Sequence, residues 1–153
     1  MAKIELSSAP RRSGCPYPAP YAAACMAREK RRLGDAAGLT QFGVNLMRLA
    51  PGAWSSQRHW HSHEDEFVYV LEGEVVLVDD AGETLLKAGD CAGFKAGVAD
   101  GHHLQNRSQA EAVLLEVGGR DGADVTSYAE ADMHWPAGAA RPTHRDGTPY
   151  DFS

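Results

Sequence analysis

No apolar run in the sequence approaches the roughly 20 residues needed to cross a bilayer. The opening residues, Met1 to Leu6, lack the apolar stretch of a secretory signal. Cysteine is scarce. Cys15, Cys25 and Cys91 are odd in number and lack metal-ligand spacing, which excludes a disulfide framework and a zinc knuckle. Positive charge is also short: 15 Lys and Arg stand against 21 Asp and Glu, and the formal net charge of -6 offers no basic footprint for nucleic acid. The one basic cluster, Arg28, Lys30, Arg31 and Arg32, reads as a solvated face rather than an anion or partner patch. No Ser-His-Asp order, phosphate loop or dinucleotide fingerprint occurs. The expectation is a cytoplasmic protein with no membrane and no nucleic-acid partner.

What is present is a chain of 153 residues, enough for one domain with a substantial core and too short for two ordinary ones. Sixteen glycines and eight prolines cut it into short segments, as an all-β fold requires. Short strands are expected over residues 42–49, 57–63, 66–71, 75–78, 83–87, 91–94, 102–106 and 112–117, with turn chemistry between them. This rhythm predicts an antiparallel barrel or sandwich. It divides the chain into an N-terminal arm (1–38), a β-barrel (39–118) and a C-terminal tail (119–153). Within the arm, the proline-rich residues 7–21 should run extended over the barrel or a partner subunit. Residues 22–33 start alanine-rich and stop at Gly34, which predicts a short helix. The irregular tail should anchor through Met133, Trp135 and Tyr150. His134 and His144 read there as exposed histidines.

The chemistry concentrates in Arg58-His59-Trp60-His61-Ser62-His63-Glu64-Asp65-Glu66. Alternate side chains of a strand share a face, so His59, His61 and His63 can all point into one cavity. Neutral imidazoles and a carboxylate in one cavity make a first-row divalent metal site. The loop 62–65 lets the next strand return antiparallel and bring Glu66 beside the histidines. His63 sits where the strand should already be turning, which suits the cavity mouth better than the metal. Glu64 and Asp65 read as solvated loop acids, and Trp60 should face away into the outer layer or an interface. Arg48 and Gln57 read as outward residues more readily than as groups orienting an anionic substrate, and Cys91 as a small buried hydrophobe.

These residues resemble the cupin superfamily through two motifs. The first family pattern, G-x5-H-x-H-x4-E-x6-G, is matched by His59, His61, Glu66 and Gly73, with Ala53 in the strict glycine place and Gly52 one residue early. The second, G-x5-P-x-G-x2-H-x3-N, is matched by Gly89, Gly97, His102 and Asn106, with Lys95 for proline and two extra residues before the histidine. The spacing of fifteen residues between them, 74–88, and the segment His144 to Tyr150 are most similar to small single-domain bacterial (type-2) cupins. The resemblance implies a jelly-roll β-barrel and the metal ligands His59, His61, Glu66 and His102. Its H-x3-N spacing selects His102 over His103. Alternation likewise puts His102 with Leu104 and Asn106, leaving His103 as a surface or interface residue.

The implied cofactor is a divalent transition metal, Zn, Fe, Mn or Ni, among which ligand type does not choose. The implied partner is a small-molecule ligand or substrate. One reading is a metal-dependent enzyme acting on a small oxygenated substrate, of dioxygenase or isomerase/epimerase type, with His63 or Glu66 as candidate bases. The other is a non-catalytic cupin that binds or senses a carbohydrate or carboxylate. A polar group facing the metal from across the cavity would discriminate them. Apolar side chains on both faces of residues 67–71 predict a homodimer.

Overall fold

The computed structural model describes residues 3–153; Met1 and Ala2, which open the segment read for a secretory signal, lie outside the described residues. The chain is an all-β jelly roll. Its strands are β1 (Arg11–Ser13), β2 (Arg28–Arg32), β3 (Phe42–Leu49), β4 (His59–His61), β5 (Glu66–Glu72), β6 (Glu74–Asp79), β7 (Gly82–Lys87), β8 (Cys91–Phe94), β9 (His103–Gln105), β10 (Ala112–Gly119), β11 (Thr126–Tyr128) and β12 (His134–Trp135). They form a six-stranded sheet in the order β1-β2-β3-β10-β5-β8 and two three-stranded sheets, β12-β11-β4 and β7-β6-β9. No helix among the described residues is long and apolar enough to cross a membrane.

Alternation explains the core. Met47 and Leu49 of β3, Val68 and Val70 of β5, Val75 and Leu77 of β6 and Leu114 of β10 meet in one buried cluster with Leu104. The side chains between them face out, and Phe67, Tyr69 and Leu71 stand about 40% exposed on β5. Gly73 turns β5 into β6 at a φ of 75°, where a Cβ would lie 2.8 Å from the Glu111 carbonyl oxygen, so only glycine fits. Asn106 is fully buried. It donates to the carbonyls of Leu49 and Ala110 at 2.9 and 2.8 Å and accepts from Ser108, tying β3 to the approach of β10.

The arm and the tail are built into the sheets. Residues 22–33, expected as a helix, hold only a 3-10 turn (Ala23–Cys25) before β2 begins, and four helical residues (Leu33–Ala36) follow it. The open flank of the eight-residue β3 accounts for the difference. Pairing all five residues of β2 against it outweighs alanine's helix propensity, a weak local preference. The basic cluster is corrected with it: Arg28, Lys30 and Arg32 point to one side of β2, and Arg28 is 7% exposed rather than solvated. In the tail, β11 pairs with β4, and Met133, Trp135 and Tyr150 pack with Tyr128, Tyr17 and Tyr21 in a second cluster.

Two further expectations are corrected. Cys91 is exposed, because β8 alternates outward at its first residue. His103 is 3% exposed rather than at the surface. Its ring packs edge-on against Trp54 at 4.7 Å; Nδ1 donates to the Ser56 carbonyl at 2.9 Å, and Nε2 accepts from the Gln105 amide at 2.9 Å. The fold therefore holds a neutral imidazole, and burial lowers its pKa from 6.5 to about 4. The unfolded chain takes a proton at this residue below pH 6.5 and the folded chain does not, so His103 costs stability as pH falls from 6.5 to about 4. The loss amounts to roughly 3 kcal/mol and levels off at lower pH. Urea unfolding of the wild type and His103→Gln across this range should give curves that diverge toward acid. Parallel curves would mean that the imidazole gains its proton inside the fold.

Candidate metal centre

His59 and His61 lie two residues apart on β4, whose three residues are held by β11 on one side: Thr126 opposite His61 and Tyr128 opposite His59. On the other side, His59 and His102 exchange backbone hydrogen bonds of 3.2 and 3.0 Å, which sets His102 beside His59. Glu66 enters from the first residue of β5, opposite Gly118 and Phe94. The structure thus brings together His59, His61, Glu66 and His102 from all three sheets.

The four side chains converge through specific atoms. The Glu66 carboxylate lies 3.4 Å from His59 Nε2, 3.3 Å from His61 Nε2 and 2.6 Å from His102 Nε2. Each Nδ1 faces an acceptor instead: the Gln57 carbonyl at 2.9 Å for His59, Asp124 Oδ2 at 2.7 Å for His61 and the Asp100 carbonyl at 3.4 Å for His102. Carbonyl oxygens only accept, so the imidazoles donate from Nδ1 and turn their Nε2 lone pairs inward. Phe94 stacks flat on His102, with ring centroids 3.6 Å apart, and fixes its plane. Lone pairs of three imidazoles and a carboxylate repel one another unless a proton or a cation stands between them. The donor set therefore fits a first-row divalent ion, with the Nδ1 partners orienting the rings.

The electrostatics express the same demand. Burial disfavours charge on Glu66, but the surrounding imidazoles outweigh it and hold the carboxyl well below its usual range. Burial likewise opposes charge on His61, yet Glu66 on one nitrogen and Asp124 on the other push it up to about 9. Asp124 comes from the tail, just before β11, and nothing in its local sequence marks it. Glu64, expected as a solvated loop acid, turns inward: its carboxylate lies 3.8 Å from His61 Nδ1 and accepts from the Asp121 N–H at 2.9 Å. Asp65 is exposed and receives the Ala96 N–H at 2.8 Å.

His63 is not brought to the site. β4 ends at His61, and His63 is exposed, with its ring on the Ser62 hydroxyl at 2.7 Å. Arg48 pairs outward with Glu111 at 2.8 Å, and Gln57 bonds the Tyr21 carbonyl at 2.9 Å. His134 and His144 are half-buried, and His144 pairs with Asp132 at 2.7 Å and stacks on Tyr150.

The four side chains stand between two cavities. One, of about 230 Å³, is lined by Trp60, Leu77, Phe94, Lys95 and Val98. The other, of about 250 Å³, is lined by Ser56, Tyr17, Tyr128, Lys30 and Glu116. There Lys30 Nζ donates to Glu116 Oε1 at 2.6 Å, and the Asn45 amide donates to the same oxygen at 2.9 Å. Glu116 lies opposite Val68, and Gly118 opposite Glu66, so the two acids are diagonal neighbours on adjacent strands. Burial raises the Glu116 pKa, but Lys30 and Asn45 bring it below the usual carboxylate value. A polar pair therefore faces the histidines from the same cavity wall. Local pattern did not mark it, because Lys30 sat in a predicted helix and Glu116 in an apolar strand.

The cupin domain family model matches residues 45–118. No curated protein sequence matches the chain. Among solved structures, the fold is similar to a sugar phosphate isomerase of the cupin superfamily from Silicibacter pomeroyi, with 48% identity over 99% of this chain and 98% of that one and a TM-score of 0.90. It is also similar to a candidate sugar phosphate isomerase from Acidithiobacillus ferrooxidans, with 29% identity over 82% and 81% of the two chains and a TM-score of 0.71. The polyketide cyclase RemF from Streptomyces resistomycificus, 18% identical over 79% and 80% with a TM-score of 0.64, shares the fold alone. With its motifs, jelly roll and nearly full-length likeness in agreement, the chain belongs to the cupin superfamily.

Proposed function

We propose that this cupin is a metal-dependent isomerase acting on a small hydroxycarbonyl substrate, with His59, His61, Glu66 and His102 as metal ligands. The observation that carries this reading is the Lys30–Glu116 pair, which lines the same cavity as the four ligands. The Silicibacter relative, 48% identical and a sugar phosphate isomerase, supports it. When bound there, a divalent ion (Zn, Fe, Mn or Ni) supplies Lewis acidity toward the substrate's oxygens. Isomerisation then needs a group that removes a proton from the carbon beside the carbonyl and returns it to the neighbouring carbon. Glu116, ionised and fixed by Asn45, is that base: it takes the C–H proton, exchanges it in part with solvent and delivers a proton to the neighbouring carbon. The electron pair stays on the substrate, and the hydroxyl proton passes by way of Lys30 Nζ to the former carbonyl oxygen, so the step balances. Lys30 keeps Glu116 charged and places an ammonium donor against the substrate oxygen. Tyr17 and Tyr128, packed edge-to-face at 5.6 Å, form part of the cavity wall.

This reading separates the ligands from the base. His61→Ala should lose both bound metal, by elemental analysis, and turnover. Glu116→Gln should keep the metal and lower kcat by about 10²–10⁴, with loss of deuterium wash-in from heavy water at the substrate carbon. Oxygen uptake that accompanies turnover, or a Glu116→Gln protein that exchanges deuterium normally, would sink the isomerase assignment. Binding of a carbohydrate without exchange would favour a sensor instead.

Lys30→Met supplies a pH test. With the ammonium gone, burial dominates and raises the Glu116 pKa. The acid limb of kcat/KM should therefore move from below the ordinary carboxylate value of 4.5 to a higher pH. An unmoved limb would show that another group is the base.

We also assign a homodimer, supported by the outer face of the large sheet. There Phe67, Tyr69 and Leu71 of β5 stand beside Leu115 and Val117 of β10. An apolar face of this kind needs cover. Sedimentation should give twice the chain mass, and Tyr69→Arg the monomer. A monomeric wild type at micromolar concentration would overturn the assignment.

A further inference from the structure

A concave recess of about 280 Å³ adjoins the metal cavity, sharing Arg28 and Lys30 as walls, and is completed by Arg12, Arg32, Asn45 and Arg120. We propose that it binds the phosphate of the substrate, or an equivalent doubly charged oxyanion, while the oxygenated carbons reach the histidines. This rests on the isomerase reading for its link to turnover, though not for the anion site itself.

Strand alternation aims the cations at one place. Arg28, Lys30 and Arg32 occupy alternate positions of β2, and Arg12 of β1 lies directly opposite Lys30. Like charges set opposite each other across a ladder are destabilising, so the arrangement calls for an anion. The neighbouring residues do not repel in this way: Glu29, on the other face of β2, pairs with both Arg11 and Arg31. Gly43 lacks a side chain where the Arg120 guanidinium passes, 3.4 Å from the place of a Cβ, and so leaves that group room at the wall.

Counterions are too few. Asp35 serves both Arg32 and Arg120, Glu116 serves Lys30, and Glu64 is the remaining acid of the wall. Arg28 is buried and bonds only carbonyl oxygens, of Gly14 at 2.9 and 3.2 Å and of Ser55, while Arg12 has no ion pair among the described residues. Five cations against three carboxylates leave two positive charges. A phosphate monoester carries nearly two negative charges at neutral pH, and guanidinium forks suit its oxygens. A polyanion fits less well, given the small volume of the recess and the net charge of -6.

The test uses the full chain, stripped of metal with a chelator and titrated calorimetrically with inorganic phosphate at low salt. Saturable one-to-one binding is expected. Arg12→Gln and Arg32→Gln should each weaken it about tenfold or more, with unchanged thermal unfolding, and His61→Ala should leave it intact. Absence of saturable binding overturns the proposal, as does binding that survives both arginine substitutions or vanishes in His61→Ala. In turnover, Arg12→Gln should lower kcat/KM for a phosphorylated hydroxycarbonyl compound and spare its unphosphorylated analogue. Equal loss on both would assign the recess to free phosphate and overturn the link to substrate. If phosphate binds as expected but no deuterium exchange is found, the recess stands and the isomerase reading fails.

Discussion

One carboxylate enclosed by three imidazoles sets the terms for the rest of this molecule. Glu66 lies within 3.4 Å of the inward nitrogen of His59, His61 and His102, while the outward nitrogens are committed to Gln57, Asp124 and Asp100. Such a group of acceptors is unfavourable on its own and becomes favourable around a cation. Its four members are drawn from three sheets, His59 and His61 sharing β4, so the centre exists only when the jelly roll has closed. Val68 and Val70, the inward neighbours of Glu66 on β5, fill the core that makes the closure favourable.

The same sheet that carries Glu66 delivers the polar pair beside it. Along the inward face, Arg32, Asn45 and Glu116 align across β2, β3 and β10, and Glu66 follows diagonally on β5. Polarity is thus confined to one end of a face whose other end, around Met47, Leu114 and Val70, is wholly apolar. The arm contributes through β1, Tyr17 and β2, and the tail through Asp124 and Tyr128. Neither is an accessory to the barrel, because each supplies part of the cavity wall or a hydrogen bond to a histidine of the centre.

How much of this the sequence revealed depends on the range of the interactions. The pattern His59-x-His61 and the turn to Glu66 are local, and strand alternation makes their convergence legible. The hairpins around Gly73 and 79–82 are local in the same sense, and the strands over Phe42–Leu49 and Cys91–Phe94 are found as read. Lys30 and Glu116 are 86 residues apart, and only the pairing of β2 on β3 and β3 on β10 brings them together. The alternation Arg28, Lys30, Arg32 was present in the sequence, but alanines before it gave a competing helical signal that tertiary pairing overrode. Asp124 had no local signal at all. His103 was misplaced because alternation assigns a face of the strand, and both faces of β9 turned out to be covered, one of them by Trp54 and Ser56.

The energetics of the Lys30–Glu116 pair bear on why it is there. Exposed ion pairs contribute little, and buried ones often contribute less than apolar residues of the same shape, because two charges must be desolvated. Both side chains here are about one-fifth exposed, and the pair is held by Asn45 and bordered by the cavity. As a fastening for β2 it is therefore a poor choice beside a leucine and a valine. A carboxylate kept ionised next to an ammonium, in a cavity that also holds a metal-type donor set, suits another use. Under the proposed isomerase reading, that use is to accept and return a proton. Stability gives little reason for its position, whereas the proton transfer proposed for Glu116 supplies one.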